Sequence, residues 1–143
     1  MGRMKTALFI IASFGLSILP VSAADNEHPA TLKQYDAVRA ALASDDLSAA
    51  KKAAAELVAA AKKETATAIV DESAKLSESK SLNDARKSFQ AISVEIEKWV
   101  KGKPGFFVMT CPMVPASVWI QTTDKIGNPY KGKEMQECGE IKN

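Results

Sequence analysis

Ser81-Leu82-Asn83-Asp84-Ala85-Arg86-Lys87-Ser88-Phe89-Gln90-Ala91-Ile92-Ser93-Val94-Glu95-Ile96-Glu97-Lys98-Trp99-Val100-Lys101, followed at once by Gly102-Lys103-Pro104-Gly105, decides the fold class. Ala85, Phe89, Ile92, Ile96 and Trp99 recur at spacings of three and four, which stacks them on one helix face as the strongest apolar stripe in the chain. Ser81 stands three residues before Asp84, where its hydroxyl can accept from the first free amides of the helix. Two glycines and a proline within four residues cannot continue a helix, so it stops there. This helix is expected to anchor the core.

Upstream the same character persists. Asp25 to Lys101 is rich in Ala, Lys, Glu and Leu and contains one proline, Pro29, and no glycine, a helical composition. A first helix is expected from about Pro29 and Thr31, with Leu32, Tyr35, Val38 and Leu42 as its stripe. Ser44-Asp45-Asp46 offers a turn and a fresh N-cap. Leu47, Ala50, Ala54, Leu57 and Ala61 then mark a second helix whose small residues permit close approach of a neighbour. Lys51-Lys52 and Lys62-Lys63 belong to its solvated side. Glu64 to Ser79 keeps a weaker stripe through Ala68, Ile69, Ser73 and Leu76, and reads either as a continuation or as a separate short helix.

Downstream the character changes. Phe106-Phe107-Val108-Met109-Thr110-Cys111 and Val118-Trp119-Ile120-Gln121-Thr122-Thr123 are β-branched and aromatic runs that predict two short strands. Pro112 to Ser117 would join them as a hairpin, and Gly127-Asn128-Pro129-Tyr130-Lys131-Gly132 is dense turn chemistry, with Asn128-Pro129-Tyr130 read as a rigid turn. The expected fold is mainly α: an antiparallel bundle of three or four helices with a small C-terminal β-hairpin or irregular cap over about residues 106–143.

Met1 to Ala24 has the order of a secretory signal: Arg3 and Lys5, an apolar run from Ala7 to Leu19, then Pro20-Val21-Ser22-Ala23. Cleavage after Ala23 divides the chain into a signal at 1–23 and a single domain at 24–143, and no cysteine near the junction offers a lipid anchor. The expected product is exported, periplasmic and soluble, with no stable membrane insertion, because the apolar run is short for a span. The full chain of 143 residues is 46% hydrophobic and 25% charged, which excludes a disordered, collagen-like or multi-span protein. Its 19 basic and 17 acidic residues give +2; without Arg3 and Lys5 the charges balance at 17 each. A neutral chain argues against nucleic-acid binding.

The chemistry lies in the sulfurs. Beyond the signal the chain has two cysteines, Cys111 and Cys138, and each of Met109, Met113 and Met135 lies within three residues of one of them. In an extended segment Met109, Cys111 and Met113 alternate onto one face, and Pro112 biases Cys111 toward extended backbone. Met135 and Cys138, three apart, share one side of a helical turn if Lys133 to Cys138 is helical. Thiolate with thioether is the soft ligand set that suits Cu(I). The competing reading is a Cys111–Cys138 disulfide, which would stabilise a small exported domain by roughly 3–4 kcal/mol. Trp119 and Tyr130 either pack over such a site or fill the core. His28, the single histidine, is a fifth ligand or a solvent-exposed residue without a role. No oriented base, carboxylate pair or phosphate loop accompanies the cysteines, so an enzyme is not expected.

Cys111-Pro112-Met113, Trp119, Ile126-Gly127-Asn128-Pro129-Tyr130-Lys131-Gly132 and Met135-Gln136-Glu137-Cys138-Gly139 together resemble the C-P-M, W, I-x-N-P-Y-x-G-x-x-M-x-x-C-G signature of a bacterial periplasmic family, domain of unknown function 3347. Ala85-Arg86-Lys87-Ser88-Phe89-Gln90-Ala91-Ile92-Ser93 is similar to that family's A-R-x-x-F-x-x-x-S helix. The resemblance implies a helical bundle with a C-terminal cap, a role in copper or other heavy-metal handling, and a periplasmic adaptor of a heavy-metal efflux system as partner. Its matching ligand positions are Cys111, Met113, Met135 and Cys138. Thr110-Cys111-Pro112-Met113-Val114-Pro115 also resembles the T-C-P-M-H-P core of short heavy-metal-binding domains, with Val114 in place of the histidine. That replacement leaves an all-sulfur set and shifts the implied preference from zinc toward Cu(I).

Overall fold

The computed structural model describes residues 27–142, so the expected signal at 1–23 lies outside the described residues. Four α-helices come first: α1 (Pro29–Ala43), α2 (Leu47–Lys63), α3 (Val70–Ser77, entered through a 3-10 turn at Thr67–Ile69) and α4 (Leu82–Val100). They are followed by β1 (Phe107–Thr110), β2 (Trp119–Gln121), a 3-10 turn at Gly132–Met135 and β3 (Glu140–Ile141). The fold is mainly α with a small antiparallel sheet. Among the described residues no helix is long and apolar enough to cross a membrane.

The helix ends explain the bundle. Asp45 (φ 55°) and Thr65 (φ 58°) both turn left-handed just past a helix. The next amides then reach back, Asp46 to the Ala41 carbonyl at 2.9 Å and Ala66 to the Ala61 carbonyl at 2.8 Å, the six-to-one closure that ends a helix. Thr65 is β-branched, and left-handed backbone is unfavourable for it; packing overrides its preference. Residues 64–79 are therefore not a continuation of α2. Across the 3-10 turn and short helix that result, Ile69, Ser73 and Leu76 are buried as the stripe predicts, whereas Ala68 faces solvent and Ala66, just before the turn, takes a core place.

α1 begins at His28-Pro29 without a side-chain cap of its own. Glu64, at the end of α2, provides the acceptor: Ala30 N–H, Thr31 N–H and the Thr31 hydroxyl donate to its carboxylate at 3.0, 2.9 and 2.7 Å. The end of α2 thus sits on the start of α1, which makes the pair antiparallel. Burial alone would raise the Glu64 carboxyl, but those bonds from Thr31 and Ala30, with His28 nearby, outweigh it and hold the group below its ordinary value. At α4 the Ser81 hydroxyl accepts from Asp84 N–H at 3.1 Å, the cap that the sequence predicts.

The core runs continuously from bundle to sheet. Tyr35 stacks on Phe89 with ring centroids 5.0 Å apart. Its hydroxyl lies 2.7 Å from Ser93 Oγ and accepts from Ile120 N–H at 3.1 Å, so one buried phenol joins α1, α4 and β2. Trp99 is only half-buried and Val100 occupies the last core position of α4, a one-residue shift from the expected stripe. Val108 pairs with Ile120 and Met109 with Trp119 in the β1–β2 hairpin. The strand order is β2-β1-β3, and β3 adds what a hairpin alone would lack, pairing Ile141 with Met109 and Glu140 with Thr110.

A second tie fastens the C-terminal cap to the helices. Arg86 of α4 donates from Nε to the Pro129 carbonyl at 2.8 Å, and from a terminal nitrogen to the Leu42 carbonyl at 3.1 Å and Asp45 Oδ1 at 2.6 Å. The other Asp45 oxygen accepts from Lys133 N–H at 2.9 Å. Gly132 (φ 60°) passes so close that a Cβ there would overlap the Asp45 carboxylate. The glycine is required on both counts.

Candidate metal centre

Cys111 and Cys138 are brought together by the β1–β3 ladder. Thr110 pairs with Glu140, so antiparallel register sets Cys111 opposite Gly139 and leaves Cys138 one residue beyond. The two sulfurs lie 3.3 Å apart and both are free thiols. Gly139 makes the approach possible. A Cβ there would meet the Trp119 ring at 2.8 Å, the Thr110 carbonyl at 3.1 Å and Ile126 at 3.3 Å, so the indole lies directly against the backbone next to Cys138.

Each cysteine is held at its backbone. Cys111 N–H donates to Ser117 Oγ at 2.8 Å, and the Cys111 carbonyl accepts from the same hydroxyl at 3.1 Å and from Val114 N–H at 3.0 Å. Thr110 Oγ1 donates to the Ser117 carbonyl at 2.8 Å, closing the loop, and Gln90 of α4 donates to the Pro115 and Ala116 carbonyls at 3.3 and 2.8 Å. On the other side Cys138 N–H donates to the Met135 carbonyl at 3.0 Å, while its own carbonyl accepts from Asn128 Nδ2 at 2.6 Å. Asn128 is fully buried; its Oδ1 accepts from Tyr130 and Lys131 N–H at 2.8 and 3.0 Å, and its N–H donates to the Gln136 carbonyl at 2.8 Å. One amide therefore ties the turn at 128–132 to the segment that carries Cys138.

The methionines divide. The extended run stops at Thr110, and Cys111 to Val114 forms a turn, so the alternation of Met109, Cys111 and Met113 onto one strand face does not hold. Met109 is fully buried in the ladder beside Trp119, whereas Met113 is 57% exposed on the turn after Cys111. Met135 is half-buried in the 3-10 turn whose carbonyl receives Cys138 N–H, so those two residues do share one tight turn. His28 lies elsewhere. Its ring packs edge-on against Trp99 with centroids 4.8 Å apart, nine residues along α4 from Gln90, or about 14 Å of helix. It is half-buried, and its Nδ1 has no hydrogen-bond partner among the described residues. Trp119 and Tyr130 are core residues: their rings meet at 6.0 Å, the indole N–H donates to Gln121 Oε1 at 2.9 Å, and the phenol donates to the Val118 carbonyl at 2.6 Å. Burial pushes the Tyr130 phenol well above its ordinary value.

The hydrogen bond to Cys111 raises the Cys138 thiol above its ordinary value; desolvation and a Cys111 charge act in the same direction, and Lys131 opposes them. Two thiolates on a tetrahedral ion at about 2.3 Å sit about 3.8 Å apart, and a disulfide holds its sulfurs at about 2.0 Å. A separation of 3.3 Å lies between, so a small side-chain rotation either way reaches each state. The donor types suit a soft ion: two thiols 3.3 Å apart, with Met113 two residues from Cys111 and Met135 three residues from Cys138 along the chain. Among the described residues no three His, Cys, Asp or Glu side chains cluster as a metal site. Ser117, Asn128, Gly139 and Arg86 carry the local construction. Of these, the family-like motif marks Asn128, Gly139 and Arg86, and nothing in the sequence marks Ser117. No family model, curated protein or solved structure matches the chain.

Proposed function

We propose that the chain is an exported, periplasmic soft-metal-binding protein that holds an ion of the Cu(I) class between Cys111 and Cys138 and serves heavy-metal homeostasis or efflux. The 3.3 Å approach of two thiols 27 residues apart carries this reading. Met113 and Met135 complete the ligand set from the surface side. Cys138 is only partly buried, which suits hand-over to a partner by ligand exchange. A periplasmic adaptor of an efflux system is the proposed acceptor. Loading expels the thiol protons, so retention weakens as pH falls.

The test is native mass spectrometry of protein reduced anaerobically and offered Cu(I). One copper retained by the parent chain and lost from Cys138→Ser supports the reading; no retention by the reduced parent overturns it. The second reading, a non-catalytic helical interaction module stapled by a Cys111–Cys138 disulfide, draws on the same distance and on the complete burial of Cys111. Its mark would be quantitative cystine in protein taken from the export compartment without reductant.

A further inference from the structure

The two thiols differ in access although they touch. Cys111 is 1% exposed, next to the loop that Ser117 and Gln90 close, while Cys138 is only partly buried at the end of a turn. A disulfide donor in solution meets Cys138 first. The backbone at both cysteines is fixed by Ser117 and Asn128, so Cys111 waits within a side-chain rotation of the Cys138 sulfur. Proximity of that kind makes an intramolecular second step far faster than release to solvent.

We infer that Cys138 is a thiol–disulfide exchange site for small disulfide donors of the glutathione disulfide class, with Cys111 as the thiol that resolves the mixed disulfide. The Cys138 thiolate attacks one donor sulfur; the donor S–S bond breaks, a Cys138–donor bond forms and one donor thiolate leaves. Cys111, as thiolate, then attacks the Cys138 sulfur, breaks the mixed bond, forms the Cys111–Cys138 bond and expels the second donor thiolate. The chain gives up two electrons and two protons, and the donor becomes two thiols. Closure occupies both sulfurs, so the oxidised pair holds no ion. The inference rests on the pair being the functional site, as proposed above, but the exchange order does not depend on whether it takes a metal.

Metal-free reduced protein is mixed with glutathione disulfide, quenched with acid and weighed intact. The parent chain is expected to become two hydrogens lighter with no lasting adduct. Cys111→Ser should keep one glutathionyl group on Cys138, and Cys138→Ser should gain one on Cys111 at least ten-fold more slowly. Equal rates in the two variants, or a lasting adduct on the parent, would overturn the assignment. Should a variant lose its far-ultraviolet helix signal, iodoacetamide labelling of the reduced parent decides, with Cys138 labelled at least ten-fold faster than Cys111 in support and equal labelling against. A separate arm preloads the parent with Cu(I): protection from glutathione disulfide tests the ligand reading, and its failure there leaves the exchange order standing.

Discussion

Asn128 and Gly139 show how single residues build the thiol pair. Asn128 is buried and satisfies three backbone groups with one side chain, among them the Cys138 carbonyl and the Tyr130 amide. Asn128→Ala leaves those groups without partners and should cost about 2–4 kcal/mol, measured by urea unfolding, and should speed alkylation of Cys138. Gly139→Ala fails for a different reason, because its Cβ would stand 2.8 Å from the Trp119 ring and 3.1 Å from the Thr110 carbonyl. Displacing a packed indole or a strand should cost about 1–3 kcal/mol. At the pair itself the hydrogen bond with Cys111 raises the Cys138 thiol, so the stabilisation from that bond is complete below the ordinary thiol value of 9.0 and fades as pH rises through the raised one. Reduced protein should accordingly lose stability in alkali more steeply than Cys138→Ser, as read from urea midpoints across pH.

At the scale of elements, α1 depends on a residue from another helix. Its first amides have no local acceptor and end on Glu64, so Glu64→Ala should fray the first turn and cost about 1–2 kcal/mol after allowance for the carboxylate's exposure. Amide exchange at Ala30 and Thr31 is the direct check. The carboxyl is held below its ordinary value, so this stabilisation is present above the ordinary glutamate range and is lost as pH falls through the depressed value. α4 contrasts with this. Ser81 caps it from within the local sequence, and the apolar spacing of Phe89, Ile92 and Ile96 survives intact in the fold. The site-bearing strands follow neither pattern. β3 is a pair of residues with no strand signal of its own, and only β1 beside it makes Glu140-Ile141 extended.

For the whole molecule, the bundle and the cap are locked by Arg86, Asp45 and the backbone at Pro129 and Lys133. Hydrogen bonds from Lys133 N–H and Arg86 hold the Asp45 carboxyl below its ordinary value, so the lock is fully present above the ordinary aspartate range and opens as pH falls through the depressed value. Helices, hairpin and breaks were legible in the chain because each is written in local terms: periods of three and four, a capping serine, two glycines with a proline, β-branched runs. The candidate ligands were legible as types, since sulfur beside sulfur is visible in any alignment of residues along one chain. Their grouping was not. Local pattern put Met109, Cys111 and Met113 on one face, but β1 buries Met109 while the turn held by Ser117 starts at a buried Cys111 and exposes Met113. By itself the sequence determined the helical class, the core stripes and the presence of a sulfur-rich cap. Tertiary structure alone decided that Cys111 meets Cys138, that His28 meets Trp99 and that Thr65 ends a helix, because such contacts join residues far apart in the chain or override a local preference by packing.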